Sequence, residues 1–167
     1  VSASKAFNLA GLHSAVVIAA SPVLRHRMWR EINTSECGET GCFGALATYT
    51  AFSECDGWLD GLIDYLFENR DLAEKYIKEC IPELKIISSD ATYFLWIDAR
   101  AVHSDSKQLA ELIRKKSGLC LSAGAGFGPG GEGFLRMNIA TSKELVRDGL
   151  ERLKTVVNAI ISEKTLP

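Results

Sequence analysis

One helical period runs unbroken from Asp56 or Gly57 to about Cys80, with Trp58, Leu62, Tyr65, Leu66, Leu72 and Tyr76 recurring at helical spacing. Pro82 stands just past its end, where a proline cannot continue a helix. A helix of that length carries a chain from one lobe to another. The sequence is therefore read in three stretches: residues 1–57, a linking helix over residues 58–81, and residues 82–167.

The patterns on either side of the helix differ. Downstream, residues 85–87, 92–98 (TYFLWID), 119–122 and 134–140 (FLRMNIA) predict strands. Residues 106–116 and 142–161 predict amphipathic helices, the second capped by Thr141 or Ser142 with Glu144 in its first turn. Strands and helices alternating in this way imply an α/β sandwich with helices on one face of a small sheet. Upstream, the apolar, β-branched run over residues 15–20 predicts a buried strand. Ser21-Pro22 then opens a helix to about Asn33, residues 34–40 form a polar loop, and the small-residue run GCFGALATYTAF predicts a tightly packed helix ending near Cys55.

Composition excludes several classes of function. A net charge of −2 offers no general attraction to nucleic acid or an anionic membrane, and residues 15–20 are too short to cross a bilayer. Five cysteines (Cys37, Cys42, Cys55, Cys80 and Cys120) are odd in number and form no CxxC pair, and with three histidines they argue against zinc. Reduced thiols in a cytoplasmic protein is the plain expectation.

Few residues carry chemistry. GAGFGPGGEG contains a formal GxGxxG at Gly126, Gly128 and Gly131, but it leads into a strand instead of a helix, so a dinucleotide loop is rejected in favour of a hairpin connection or a loop near a ligand. Arg136 sits in a strand with Leu135 and Met137 on the opposite face and Asn138 on its own. It is either half of an internal ion pair or a bidentate clamp for a substrate carboxylate. Lys5, set among Ser2, Ala3, Ser4 and Ala6, is either an ordinary solvated cation or a lysine held at a turn as a nucleophilic amine. Ser2, Ser4 and His13 are either surface groups or donors to an anion beside it. Tyr93 and Trp96 are read as core or lobe-interface residues, and His26 and His103 as solvated.

Taken together, SASKAFNLAGL resembles the pyridoxal-phosphate lysine motif of fold-type I enzymes. PELKIISSDATYFLWIDAR followed by AGFGPGGEGFLRMNIA resembles the C-terminal lobe of the MalY/PatB-type cystathionine β-lyases. The resemblance implies the C-terminal portion of the fold-type I transferase fold: the end of the large cofactor lobe over residues 1–57, the linking helix, and the small α/β lobe over residues 82–167. It implies that Lys5 binds pyridoxal 5'-phosphate covalently and acts as the catalytic base. Ser2 bonds the cofactor phosphate, His13 falls where relatives place a phosphate-binding arginine, and Arg136 binds the substrate α-carboxylate. The implied activity is C–S β-elimination on cystathionine or a related cysteine thioether, by a homodimer. An aminotransferase of the same fold, or a non-catalytic α/β binding module, are the alternatives. The resemblance places the pyridine-nitrogen aspartate and the ring-stacking aromatic before the lysine, so this chain alone is expected not to bind the cofactor productively.

Overall fold

A computed structural model describes residues 1–165 and divides the chain into two compact units, residues 1–63 and residues 64 onward. In the first unit, α1 (Pro22–Thr34) begins where Ser21 Oγ accepts the Leu24 N–H at 3.4 Å, with Pro22 in the first turn. The next helix, α2 (Cys42–Glu54), buries Gly44, Thr48 and Ala51 along one face. Gly44 is required there, because an added Cβ would lie 2.8 Å from the Leu12 carbonyl oxygen. Thr48 Oγ1 donates to Ser14 Oγ at 3.1 Å, fastening the same face to the N-terminal segment.

Two expectations for this unit are corrected. The helix read as tightly packed is packed on one face only, since Phe43, Leu46 and Tyr49 are exposed. Residues 15–20 are not a buried strand: they form no sheet ladder, and Val16, Val17 and Ile18 are exposed. β-Branched residues favour an extended path, but burial requires neighbouring strands. The contact nearest to a ladder is one reciprocal pair: the Val16 N–H donates to the Val1 carbonyl and the Val1 ammonium to the Val16 carbonyl, each at 2.7 Å.

The long helix α3 (Asp56–Cys80) leads into the second unit. There a four-stranded antiparallel sheet is ordered β1-β2-β4-β3, with β1 Lys85–Ile87, β2 Phe94–Asp98, β3 Ser122–Ala123 and β4 Phe134–Asn138. The pairs Leu95–Met137 and Ile97–Leu135 face the core, where they meet Leu109 and Ile113 of α4 (Ser106–Ser117), Leu150 and Leu153 of α5 (Lys143–Thr165), and Ile77 of α3. The alternation expected from FLRMN and FLWID is therefore realised, and the α/β lobe is as the sequence implies. The 119–122 strand is shorter and later than expected. Gly118, at a φ of 75°, ends α4 in the left-handed region.

Asn69 is buried in α3, and its Nδ2 donates to the carbonyls of both Ile139 and Thr141 at 2.9 Å, where the chain leaves β4 for α5. Arg70, one residue on, bonds the carbonyls of Ser89 and Thr92, and so holds the turn in which Thr92 takes a φ of 79°.

Two stability predictions follow from this packing. Leu135 is completely buried, so Leu135→Ala is expected to destabilise the chain by about 2–5 kcal/mol, read as a lower urea midpoint with an unchanged m-value. Asp105 caps α4 by accepting the Lys107 and Gln108 N–H groups at 2.9 Å, and those bonds hold its carboxyl below its ordinary range. Asp98 is likewise lowered, first by its bond from Arg100. With folded values depressed, both contributions are present above about pH 4 and are lost as pH falls through the lower folded values. Asp105→Asn keeps a cap without a charge, and is expected to flatten this acid limb in urea melts taken between pH 5 and pH 2.

Candidate functional site

The lysine segment is a single anchored turn. The Phe7 N–H bonds the Ala3 carbonyl at 3.0 Å, and Ala3 and Phe7 are both buried, packing with Ala51, Cys55 and Leu59. The Phe7 ring also stacks on Trp58 at 5.9 Å and meets Phe52 edge-on at 5.5 Å. With its two ends buried, the turn presents the residue between them outward. That residue is Lys5, which is exposed and makes no hydrogen bond or ion pair among the described residues.

Ser2 and Ser4 stand beside it. Ser2 Oγ donates to the Ser14 carbonyl at 2.9 Å, which commits its one proton, so the 2.7 Å contact between the two hydroxyls must be a donation from Ser4. To serve an anion, Ser2 has to turn away from Ser14. The same bond draws Ser2 to the residue after His13. His13 is exposed, at a φ of 50°, and closes the short 3-10 turn Ala10–Leu12. Ser2, Lys5 and His13 all lie in the N-terminal segment of the first unit, which the Ser2–Ser14 bond closes. An exposed primary amine on this turn suits the aldehyde end of a phosphorylated aldehyde cofactor, while the adjacent Ser2 hydroxyl can donate to a phosphate only once it leaves the Ser14 carbonyl.

Arg136 lies in the second unit, on the sheet face away from the core. No carboxylate pairs with it among the described residues, so the internal ion pair is not formed. Instead its guanidinium carbon lies 4.0 Å from the centre of the Phe94 ring and 4.1 Å from that of Phe127. Its Nη2 makes a long contact of 3.5 Å with Ser122 Oγ, and its Nε is buried without a hydrogen-bond partner. A guanidinium so placed is a cation with unspent donors. Asn138 shares this face and its Oδ1 accepts the Ala140 N–H at 2.7 Å, leaving its amide hydrogens free to donate. Trp96, directly opposite Arg136 in the ladder, stacks on Phe134 at 5.6 Å and meets Phe127 edge-on at 5.8 Å.

Phe94 and Phe127 escaped the sequence reading. Phe94 was within reach, because period-2 alternation puts it on the face of Trp96. Phe127 was not, since the glycines around it suggest a mobile loop. That loop is in fact folded into two short 3-10 turns, Gly124–Phe127 and Pro129–Gly131, whose backbones meet at Gly124 and Gly131 too closely for any Cβ. A buried Ser106 ties it down. Ser106 Oγ accepts the Ala125 N–H at 3.2 Å, and its own N–H and hydroxyl both reach Glu132 Oε2 at 3.3 Å.

The remaining candidates settle simply. His103, expected in solvent, is half-buried and its Nδ1 accepts the Asp105 N–H at 3.1 Å. His26 is exposed, against Trp29. The five cysteines are free thiols. Among the described residues no cluster of acidic, histidine or cysteine side chains could hold a metal, and no helix is long and apolar enough to cross a membrane.

Comparison with known proteins adds to this geometry. The profile of the family "aminotransferase class I and II" matches residues 1–153. The cystathionine beta-lyase PatB of Bacillus subtilis is 33% identical over 93% of this chain and 40% of its own. The crystal structure of cystalysin from Treponema denticola, described as containing a pyridoxal 5'-phosphate cofactor, superposes with a TM-score of 0.90 at 30% identity over 95% of this chain and 40% of that one. A pyridoxal-phosphate-bound C-S lyase from Staphylococcus hominis superposes with a TM-score of 0.82 at 27% identity, over 93% and 40%. The chain therefore spans about two fifths of the length of these relatives.

Proposed function

Because this chain belongs to the aminotransferase class I and II family, we propose that it is the C-terminal part of a pyridoxal-phosphate-dependent C–S β-lyase. Its substrate would be cystathionine or a related cysteine thioether, cleaved to a thiol, pyruvate and ammonia. The observation that carries the reading is Arg136: a half-buried guanidinium that no carboxylate pairs with among the described residues and whose Nε makes no hydrogen bond. An amino-acid enzyme uses such a group to grip the substrate α-carboxylate.

The cofactor, when bound, supplies an electron sink for the charge left at the substrate Cα. The protein's residues do the rest. Lys5 would hold the cofactor through its amine and would take the proton from the substrate Cα. Ser2, after rotating from the Ser14 carbonyl, and His13 donate to the phosphate. Arg136 fixes the carboxylate and with it the direction of the Cα–H bond. Homodimer formation is part of the proposal, supported by the exposed Phe43, Leu46 and Tyr49 face of α2. A cytoplasmic setting is supported by the free thiols.

The test uses the full-length protein with cofactor and cystathionine. Equal release of thiol and pyruvate is expected. Amino transfer to a keto acid, with neither thiol nor pyruvate formed, would replace the lyase reading with an aminotransferase.

A further inference from the structure

Arg136 has donors enough to bind a carboxylate, but a donor set is useful only if the guanidinium is held still. A free arginine side chain loses about 2 kcal/mol of rotamer freedom when it is fixed, and here no ion pair fixes it. Among the described residues its only polar contact is the long one to Ser122. What does hold it is aromatic: Phe94 from β2 and Phe127 from the glycine-rich loop, both within 4.1 Å of the guanidinium carbon. Phe94 is set by the sheet. Phe127 is half-exposed and is flanked by Gly126 and Gly128, so its place depends on what anchors the loop.

That anchor is the Ser106–Glu132 pair. Glu132 receives both the N–H and the hydroxyl of Ser106, and Ser106 in turn receives the Ala125 N–H, two residues before Phe127. A line of bonds thus runs from the first residue of α4 into the turn that carries the ring. We propose that Phe127 is a positioning residue: held by the Ser106–Glu132 latch, it presses the Arg136 guanidinium into the orientation that receives a carboxylate. This rests on reading Arg136 as the carboxylate anchor. Phe127 acts through Arg136, and therefore on substrate affinity more than on the bond-breaking step.

The test compares Phe127→Leu, Phe127→Tyr and Glu132→Ala with the wild type. In the full-length protein with cofactor, Phe127→Leu is expected to raise KM for the amino-acid substrate about tenfold, the size of a partly desolvated cation–π contact, with kcat little changed. Phe127→Tyr, which keeps the ring, should restore KM, and Glu132→Ala should raise it as Phe127→Leu does. A second readout needs no turnover. In the 167-residue chain, the Arg136 Nε–H resonance should be displaced by the neighbouring rings and should return toward the free-arginine position in Phe127→Leu but not in Phe127→Tyr. An unchanged KM and an unmoved Nε–H signal in Phe127→Leu would overturn the proposal, as would a fall in kcat at constant KM. If the wild type turns over no amino acid, the enzyme reading fails, and the Nε–H shift still decides whether Phe127 positions the guanidinium.

Discussion

In the full-length protein, Lys5→Ala is expected to lose covalent retention of pyridoxal phosphate and to release thiol at least 10²–10⁴-fold more slowly, the usual worth of a positioned proton-transfer group. Loss of the covalent attachment adds to that. Ala3 and Phe7 are buried on either side of an exposed lysine that makes no hydrogen bond or ion pair among the described residues, so the backbone carrying the amine is anchored while the amine stays accessible. Alanine removes the amine and leaves the anchoring intact, so the variant should melt like the wild type. Borohydride reduction followed by peptide mapping checks the assignment. Wild-type label confined to the peptide containing residue 5, absent from Lys5→Ala, is the expected result. Label on another lysine, with turnover retained, would exclude Lys5 from the role.

Arg136→Met is expected to reduce kcat/KM by roughly 10²–10³-fold, because removing one partner of a desolvated charge pair costs about 2–5 kcal/mol. Methionine keeps most of the length and the contact with Phe94 and Phe127, so the loss reports the charge and its donors. The stability of the variant should be close to that of the wild type, since relief of the unbonded buried Nε offsets the lost cation–π contacts with Phe94 and Phe127. A variant that keeps wild-type kcat/KM would remove Arg136 from the site. Arg136→Lys restores the charge without the planar fork, and should recover only a minor share of the loss.

These two candidates stand out in the sequence for different reasons. Arg136 was visible through period-2 alternation, which a sheet with one buried face imposes strictly: Leu135 and Met137 had to go inward and Arg136 outward. What lay beyond pattern was its partner. An ion pair and an open clamp look the same in sequence, and among the described residues the structure forms no ion pair to Arg136. Lys5 was visible through its neighbours, whose resemblance to a cofactor-lysine motif says more than its charge does. The latch of Ser106 and Glu132 was not legible, because it joins residues 26 apart that are brought together by tertiary packing. Residues 15–20 misled for the opposite reason. An apolar extended run reads as core, yet burial is a property of the neighbours, and Ile18 has 76% of its surface in solvent.

Asn69 gives the small lobe something its apolar contacts cannot. Helix stripes repeat every three or four residues, so hydrophobic packing alone tolerates a slide of α3 along its axis by about one turn, 5.4 Å, with similar burial. The two carbonyls of Ile139 and Thr141 accept from one amide at one height only. After a slide, Tyr65, Leu66, Leu72 or Ala73 would face them, and none of these carries an amide. Asn69 therefore works as an axial stop that sets where α3 sits against the end of β4. Aspartate would put an acceptor against two acceptors and leucine would leave both carbonyls dry, so among residues of this size asparagine alone can mark the position.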